Sequence, residues 1–306
     1  PATMPDGGTT VLRFTLNNSG TNPARSGINF TDSLPSALRV AAGSVLASST
    51  CSSAGTVTAA PNAATSIVVT GATMPAGQAS CTIDVQVTNA VGQVNTSCAA
   101  SPPAFTNGPG NISALANVTN AVTASCVVVT PSPASIAIGF GPSTVAIGVP
   151  STLTYTLSNT NSIALTSATF TNLLSGMSAN ATGPASGTCV GAAGNSPIAG
   201  QTALAFTGLT IPAAGSCTVT IPVSGNVAGV FPNTTSGVTT TEAAIGAVSN
   251  TANLTVTAAT PGIAKAFLPT SIVSGGISTL TITITNPNTA AIDVTPNCEL
   301  VVAWAG

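Results

Sequence analysis

The chain has 306 residues, only 3% of which are charged, and it contains no histidine. A formal net charge of −2 provides no basic surface for phosphate groups, so we expect no nucleic-acid partner. Although 44% of the residues are hydrophobic, no apolar run approaches the roughly 20 residues that a membrane-spanning helix needs, and we expect no membrane span.

The first strong structural signal is a stretch of period-two alternation near the start of the chain. In TVLRFTLNN at 10–18, Leu12, Phe14 and Leu16 alternate with more polar residues. A single apolar face with this period predicts a half-buried strand of an antiparallel sheet. The phrase recurs as STLTYTLSN at 151–159 and as STLTITITN at 278–286, so the chain repeats one structural unit.

The repeat extends beyond these strands. The block that begins at Pro142 aligns without gaps to the block that begins at Pro269, and Pro1 falls on the same proline. Downstream, FTDSLP at 30–35 matches FTNLLS at 170–175. The repeated unit combines short alternating strands with frequent turn signals and has no helical pattern, which is typical of an immunoglobulin-like sandwich.

We therefore predict an all-β chain of tandem immunoglobulin-like antiparallel β-sandwiches, elongated, with a partial third module at the C-terminus. The first module covers residues 1–130, the second covers 135–258, and 262–306 forms a partial third module or connector strands. The leading strand of the second copy, IAIGFGP at 136–142, matches IAKAFLP at 263–269. It has no counterpart in the first copy, so we expect the first module to lack its leading strand. No signal peptide is visible and the chain starts at Pro1 and not at Met, so we expect a processed or truncated product.

Seven cysteines predict disulfide bonds. Repeat equivalence suggests two pairs and leaves a third pair in the first module, giving Cys51–Cys81, Cys189–Cys217 and Cys98–Cys126. Three such bonds indicate an oxidising compartment, so we predict a secreted protein that lies at the cell surface or in the extracellular space. Cys298 has three open interpretations: it is unpaired, it bonds a cysteine further downstream, or it links two chains.

An insertion distinguishes the first module from the second. With Asn95 matched to Asn233, the first module is longer before its last strand, and the extra sequence SPPAFTNGPG lies there. A bond between Cys98 and Cys126 would clamp this insertion. The sequence has no CxxC motif, no histidine and no acidic cluster, so we expect no metal site.

The chain lacks the residues of the common catalytic sites. Without histidine, Ser–His and Cys–His mechanisms are absent. The acidic residues of the first two modules are Asp6, Asp32, Asp84 and Glu242, and Asn172 replaces Asp32 in the second copy. No carboxylate pair is therefore a feature of the repeat. We expect no enzymatic activity and no cofactor.

Lys265 is the only lysine of the chain. Bacterial surface sandwiches often carry a Lys–Asn isopeptide bond, but the counterpart of Lys265 is Ile138 in the second module and precedes Pro1 in the first. The first two modules thus cannot contain such a bond from their own residues. Lys265 could form one in a third module or across subunits, but the sequence favours an exposed lysine on an edge strand, where charge discourages aggregation.

Taken together, the blocks FxPxxxxxGGxSTLTxTxTN, FTDxLP, tCxG and AGxSCTxxVxV resemble the bacterial conserved-repeat domains of unknown function that occur in tandem on very long surface proteins. The resemblance covers nearly the whole chain. It implies immunoglobulin-like modules in extracellular stalks, fibres or adhesin-like proteins, and it implies no catalytic residues. The chain departs from the pattern after AIDVT, where PNCELVVAWAG stands in place of the FTDxLP block.

The short third copy predicts an assembly surface, because a lone pair of strands cannot bury its apolar face in water. The first module lacks the strand that IAKAFL represents, so we expect head-to-tail strand complementation between chains, which builds a filament. The alternative is that both ends are cuts in a longer protein. The residues predicted for assembly are Ile263, Lys265, Phe267, Leu280, Ile282, Ile284 and Cys298.

We predict a non-enzymatic structural subunit of an extracellular bacterial filament or surface stalk, with further copies of itself as the main partner. The alternative is a surface adhesin that binds a host or surface glycan or protein. A binding face should contain clustered aromatic residues or arginines. Arg13, Arg25 and Arg39 all fall in the first module, and the surface around Arg25 is the best adhesive candidate.

Overall fold

The computed structural model describes residues 2–18, 23–43, 45–59, 65–95, 97–99 and 103–288. Within these ranges the protein is nearly all-β, as the sequence predicts. Its helical content is confined to three short 3₁₀ helices, Pro103–Phe105, Pro109–Asn111 and Ala192–Gly194.

The first module contains eleven strands in three sheets. They are β1 (Ala2–Pro5), β2 (Thr9–Asn17), β3 (Arg25–Ser33), β4 (Leu38–Val40), β5 (Leu46–Ser49), β6 (Thr56–Thr58), β7 (Ser66–Met74), β8 (Ser80–Asn89), β9 (Thr106–Asn107), β10 (Ile112–Ala116) and β11 (Ser125–Thr130). The sheet orders are β2–β8–β4 with β5 also on β8, β10–β3–β7–β6, and β1–β11–β9.

The second module shares the main strands of this plan, lacks counterparts of β5, β6 and β10, and has one additional leading strand. Its strands are β12 (Ser135–Gly141), β13 (Thr144–Ala146), β14 (Ser151–Asn159), β15 (Leu165–Leu173), β16 (Ser178–Ala179), β17 (Ala203–Ile211), β18 (Gly215–Ser224), β19 (Gly229–Asn233) and β20 (Ala252–Thr257). The sheet orders are β12–β14–β18–β16, β13–β20–β19 and β15–β17.

The strand ladders are antiparallel with one exception in each module. β1 pairs with β11 in parallel, and β13 pairs with β20 in parallel. In both modules the short strand just before the repeated phrase therefore joins the last strand of the same module. This pairing closes each module on itself, which is why each has a hydrophobic core of its own.

Alternation along the repeated strand builds these cores. In β14 the side chains of Leu153, Tyr155 and Leu157 are fully buried between the sheets, while the threonines between them lie nearer the surface. One apolar cluster extends from Met4 to Val129 and a separate one lies between residues 134 and 256. The chain is thus organised around two cores. No further observation tests the predicted module boundaries, which stay predictions.

A polar joint connects the two modules. The Asp6 carboxylate accepts hydrogen bonds from the backbone N–H and the hydroxyl of Ser162 (2.6 and 2.7 Å) and from the side-chain amide of Asn89 (2.6 Å). The Asn161 side chain also holds the linker, because it accepts from the N–H of Ser132 (2.6 Å) and donates to its carbonyl (2.9 Å). The joint is therefore fixed by specific hydrogen bonds.

The third copy forms a two-stranded hairpin of β21 (Gly262–Leu268) and β22 (Thr279–Thr285). The linker before it is held as the first linker is, since Asn288 accepts from the N–H of Ala259 (2.7 Å) and donates to its carbonyl (2.8 Å). The predicted site residue Cys298 lies outside the described residues.

Candidate assembly site

The hairpin β21–β22 copies the β12–β14 pair of the second module residue for residue. Ile136 pairs with Leu157, and Ile263 pairs with Ile284, each 127 residues later. The pairing of Ile138 with Tyr155 becomes that of Lys265 with Ile282. The third copy therefore has the local structure of a leading strand and its neighbour.

The environment of the two pairs differs sharply. In the second module Ile136 and Ile138 are buried beneath the facing sheets. In the hairpin, Ile263 is 58% exposed and Phe267 is 44% exposed, and Leu280, Ile282 and Ile284 are exposed on the same face. An apolar sheet face of this kind on a two-stranded element is marginal in water. The hairpin thus presents a face that is core elsewhere in the chain.

The first module presents the complementary feature, an unpaired strand edge. Among the described residues, β2 pairs with β8 only, whereas its counterpart β14 lies between β18 and the leading strand β12. Leu12 is half-buried, Phe14 is 9% exposed and Leu16 is 6% exposed. Their three counterparts in β14 are 0% exposed, so a leading strand would complete the cover of this core.

A buried polar cluster lies under this part of the sandwich in the second module. The Tyr155 hydroxyl donates to Oδ1 of Asn172 (2.9 Å), and the Asn172 amide donates to Oδ1 of Asn233 (2.8 Å) and to the carbonyl of Thr234 (2.7 Å). Asn233 donates back to Oδ1 of Asn172 (3.1 Å). Because each of the three side chains has a partner, the cluster is stable in an apolar core.

The corresponding cluster in the first module is incomplete. Asp32 occupies the place of Asn172 and is 0% exposed, and its Oδ2 accepts a hydrogen bond from Nδ2 of Asn107 (2.7 Å). Within the described residues, Oδ1 of Asp32 and Oδ1 of Asn107 are buried without a hydrogen-bond partner. Phe14 replaces Tyr155 and brings no hydroxyl. The cluster therefore contains two buried acceptor oxygens, one on Asp32 and one on Asn107, without a hydrogen-bond donor.

The strand register corrects one match made from the sequence. Asn107 pairs with Ser125 at the end of β9, as Asn233 pairs with Ala252 at the end of β19. The partner of Asn233 in the repeat is therefore Asn107 and not Asn95, and AFTN in the first module matches VFPN in the second. The extra sequence of the first module consequently lies before residue 103.

The surroundings of Asp32 oppose its ionisation. Burial raises the pKa of the Asp32 carboxyl above its usual range, and the hydrogen bond from Asn107 offsets only part of this effect. The rings of Phe14 and Phe30 pack 5.0 Å apart in the core of the same module. A buried carboxyl with a raised pKa and an unpartnered oxygen is a candidate functional group, because structure alone does not require it.

Lys265 lies on β21, on the face that also carries Ile263 and Phe267, and it is exposed. β21 is an edge strand, since among the described residues it pairs with β22 only. Lys265 is therefore an exposed lysine on an edge strand, as the sequence favours, and it lies on the apolar face of the hairpin.

The six cysteines among the described residues form three bonded pairs: Cys51–Cys81, Cys98–Cys126 and Cys189–Cys217. The first and third pairs occupy equivalent places. Each joins the same strand, β8 or β18, to a loop earlier in its module, between β5 and β6 in the first module and between β16 and β17 in the second. The second pair ties the last strand of the first module to residues 97–99. Disulfide bonds are typical of proteins that fold outside the reducing cytosol.

The three arginines of the first module differ in their contacts. Arg13 makes a bidentate ion pair with Asp84 (2.8 Å for each contact), and this interaction lowers the pKa of the Asp84 carboxyl. Arg39 donates to the carbonyls of Ser36 and Leu38. Arg25 is exposed at the start of β3. A binding role for the surface around Arg25 stays a prediction.

Two further properties bear on function. Among the described residues, no helix has the length and apolar character that crossing a bilayer requires. In the same part of the chain, no group of three or more His, Cys, Asp or Glu side chains is arranged to hold a metal ion.

These features define a tandem β-sandwich protein with disulfide-bonded modules. A family model described as "Domain of unknown function (DUF7933)" matches residues 1–129 and again residues 134–256. The chain belongs to this family and contains two copies of its domain. No curated protein matches the chain.

The solved structures with distant similarity to this chain include two bacterial examples. The C-terminal domain of the AgI/II polypeptide BspA from Streptococcus agalactiae is 12% identical, with 80% of this chain and 92% of that chain covered and a TM-score of 0.24. The collagen adhesin from S. aureus is 13% identical, with 93% of this chain and 92% of that chain covered and a TM-score of 0.24. Similarities at this level carry no argument about function.

The incomplete cluster leads to a prediction about stability. Phe14→Tyr should stabilise the first module by about 1–2 kcal/mol, because the new hydroxyl can donate to the unpartnered oxygen of Asp32 as Tyr155 donates to Asn172. Chemical denaturation measures the change. Phe30→Tyr is the matched control, since it adds the same hydroxyl to the neighbouring ring. Equal effects of the two substitutions would contradict the prediction.

Proposed function

We propose that this chain is a non-enzymatic structural segment of an extracellular fibre or stalk, and that chains associate when β21 of one copy pairs with the open edge of β2 in another. The observation that carries the proposal is the agreement between the β21–β22 register and the β12–β14 register. The strand β21 has the shape, direction and alternation of the strand that covers β14.

The exchange conserves backbone hydrogen bonds. β21 leaves β22 and forms an equivalent antiparallel ladder with β2, because both partners carry the same repeated phrase. The pairing must use the edge of β21 that now faces β22. If β21 used its other edge and kept its apolar face towards the core, it would run parallel to β2 and not antiparallel to it. The connection of residues 269–278 gives β21 room to separate from its partner.

The driving force is the burial of apolar side chains. Moving Ile263 and Phe267 from solvent to the core of the first module contributes about 1.5–3 kcal/mol for each side chain. Association costs an estimated 4 kcal/mol or more in lost translational and rotational freedom. Strand exchange alone therefore supports weak, concentration-dependent association. Because the contact joins two different surfaces, it propagates from chain to chain.

Sedimentation velocity of the purified full chain tests the proposal. We expect a concentration-dependent series of head-to-tail oligomers, which electron microscopy should show as strings of modules. Phe267→Asp should abolish the series, because it places a charge on the face that becomes core.

The matched control is Ala264→Asp, which places the same charge on the outward face of β21. This variant should associate as the original chain does. The proposal is wrong if the full chain remains monomeric at all concentrations, or if both aspartate variants associate to the same extent.

A further inference from the structure

We propose that Asp32 and Asn107 form a covalent linking site, in which the ε-amino group of Lys265 from a second copy of the chain forms an amide bond with the side chain of Asn107. The inference rests on the proposed strand exchange. It adds a specific bond and names the residues that make it.

The strand register places the lysine. Ile138 of β12 pairs with Tyr155 of β14. Lys265 holds the position of Ile138 in β21, and Phe14 holds the position of Tyr155 in β2. When β21 pairs with β2 in the register of the second module, Lys265 therefore lies directly beside Phe14, with its side chain on the core face.

The reach of the side chain follows from the second module. From its place on β14, Tyr155 extends across the core to Oδ1 of Asn172 at 2.9 Å. A lysine side chain is of similar length, and from the adjacent strand it points into the same space. In the first module that space contains the unpartnered oxygens of Asp32 and Asn107. After strand exchange the amino group of Lys265 therefore lies close to the acceptor oxygens of Asp32 and Asn107 that have no hydrogen-bond donor.

The two modules carry two consistent sets of residues. The second module combines Ile138, Tyr155 and Asn172, a set with no amine and with its polar atoms paired. The first module combines Phe14 with Asp32. Because Phe14 has no hydroxyl, the polar cluster there keeps acceptor oxygens without a hydrogen-bond partner. The lysine that would complete it is the single lysine of the chain, and it lies on β21, the strand that the proposed exchange transfers.

The reaction balances without any other reagent. The neutral amine of Lys265 attacks Cγ of Asn107, and a new C–N bond forms while the bond from Cγ to Nδ2 breaks. Asp32 accepts a proton from the attacking nitrogen and delivers it to the leaving nitrogen, with which it already shares a hydrogen bond of 2.7 Å. The products are a secondary amide and one molecule of ammonia.

The environment suits each participant. A primary amine is a nucleophile, and burial leaves one oxygen of the Asp32 carboxyl without a hydrogen-bond partner. The same burial raises the pKa of Asp32, which makes the carboxylate a better proton acceptor.

Mass spectrometry of the full chain under denaturing conditions tests the bond. We expect covalent dimers and larger species, each link lighter than the sum of its chains by one ammonia. Proteolysis should yield a branched peptide that joins Lys265 to Asn107. Lys265→Arg keeps the length and charge of the side chain but provides no nucleophilic amine, so we expect at least a tenfold loss of covalent product.

Asp32→Asn supplies the second variant, because the second module shows that asparagine is compatible with this position. It should also lose the covalent product at least tenfold. Association of the original chain without any covalent product, or a link that maps to other residues, overturns the amide bond and leaves strand exchange intact. Absence of association overturns the proposed function and the bond together.

Discussion

Replacing Cys189 and Cys217 by alanine should destabilise the second module by about 3–4 kcal/mol. The bond closes a loop with a sequence separation of 28 residues, and removing it returns the corresponding chain entropy to the unfolded state. Both cysteines are buried in the core, so the variant also loses packing. For a module of this size, the melting temperature should fall by on the order of 10 °C.

Differential scanning calorimetry measures this change, and the repeat provides the matched control. Cys51–Cys81 joins the equivalent places in the first module with a separation of 30 residues. Replacing Cys51 and Cys81 by alanine should lower the melting temperature of the first module by a similar amount and leave the melting temperature of the second module unchanged. The account is contradicted if the loss of either bond leaves both transitions in place.

The architecture was predictable because its signals are local and repeated. Alternation in β2, β14 and β22 identified strands, and the copies identified tandem modules. The parallel pairing of β1 with β11 and of β13 with β20 was not predictable, since short strands at opposite ends of a module carry no sequence signal for each other. The resemblance to repeat domains of unknown function agrees with the family to which the chain belongs.

The candidate site was only partly accessible from the sequence. The hairpin residues and the counterparts of Lys265 followed from the alignment of copies. The role of Asn107 did not, because a variable insertion lies before it and the alignment assigned its place to Asn95. Only strand register brings Asn107 against Asp32. The signal that could have revealed it is the short match between AFTN and VFPN.

Asp32→Asn should stabilise the first module at neutral pH by about 1–3 kcal/mol, because it removes a buried carboxylate oxygen without a partner and recreates the Asn172–Asn233 pair. The pH dependence gives a sharper test. The pKa of Asp32 is raised in the folded state, so the folded protein binds this proton more tightly than the unfolded chain does. The cost of ionising the carboxyl is thus absent below its ordinary pKa of about 3.9, grows as the pH rises towards the folded pKa, and is constant above it.

The gain in the free energy of unfolding from Asp32→Asn should consequently be large at pH 7 and small at pH 3. Urea denaturation of the variant and of the original chain across that pH range measures this gain. The reciprocal substitution Asn172→Asp should destabilise the second module at pH 7, which provides the control. A gain that is independent of pH would mean that packing and not charge is responsible. A carboxyl that weakens its own module is costly to retain for structure alone, since the second module has asparagine in the same place with its polar atoms paired. Its presence in the first module is explained if the group serves the arriving lysine, because a carboxylate, unlike an amide, can both accept and return the proton that amide formation moves.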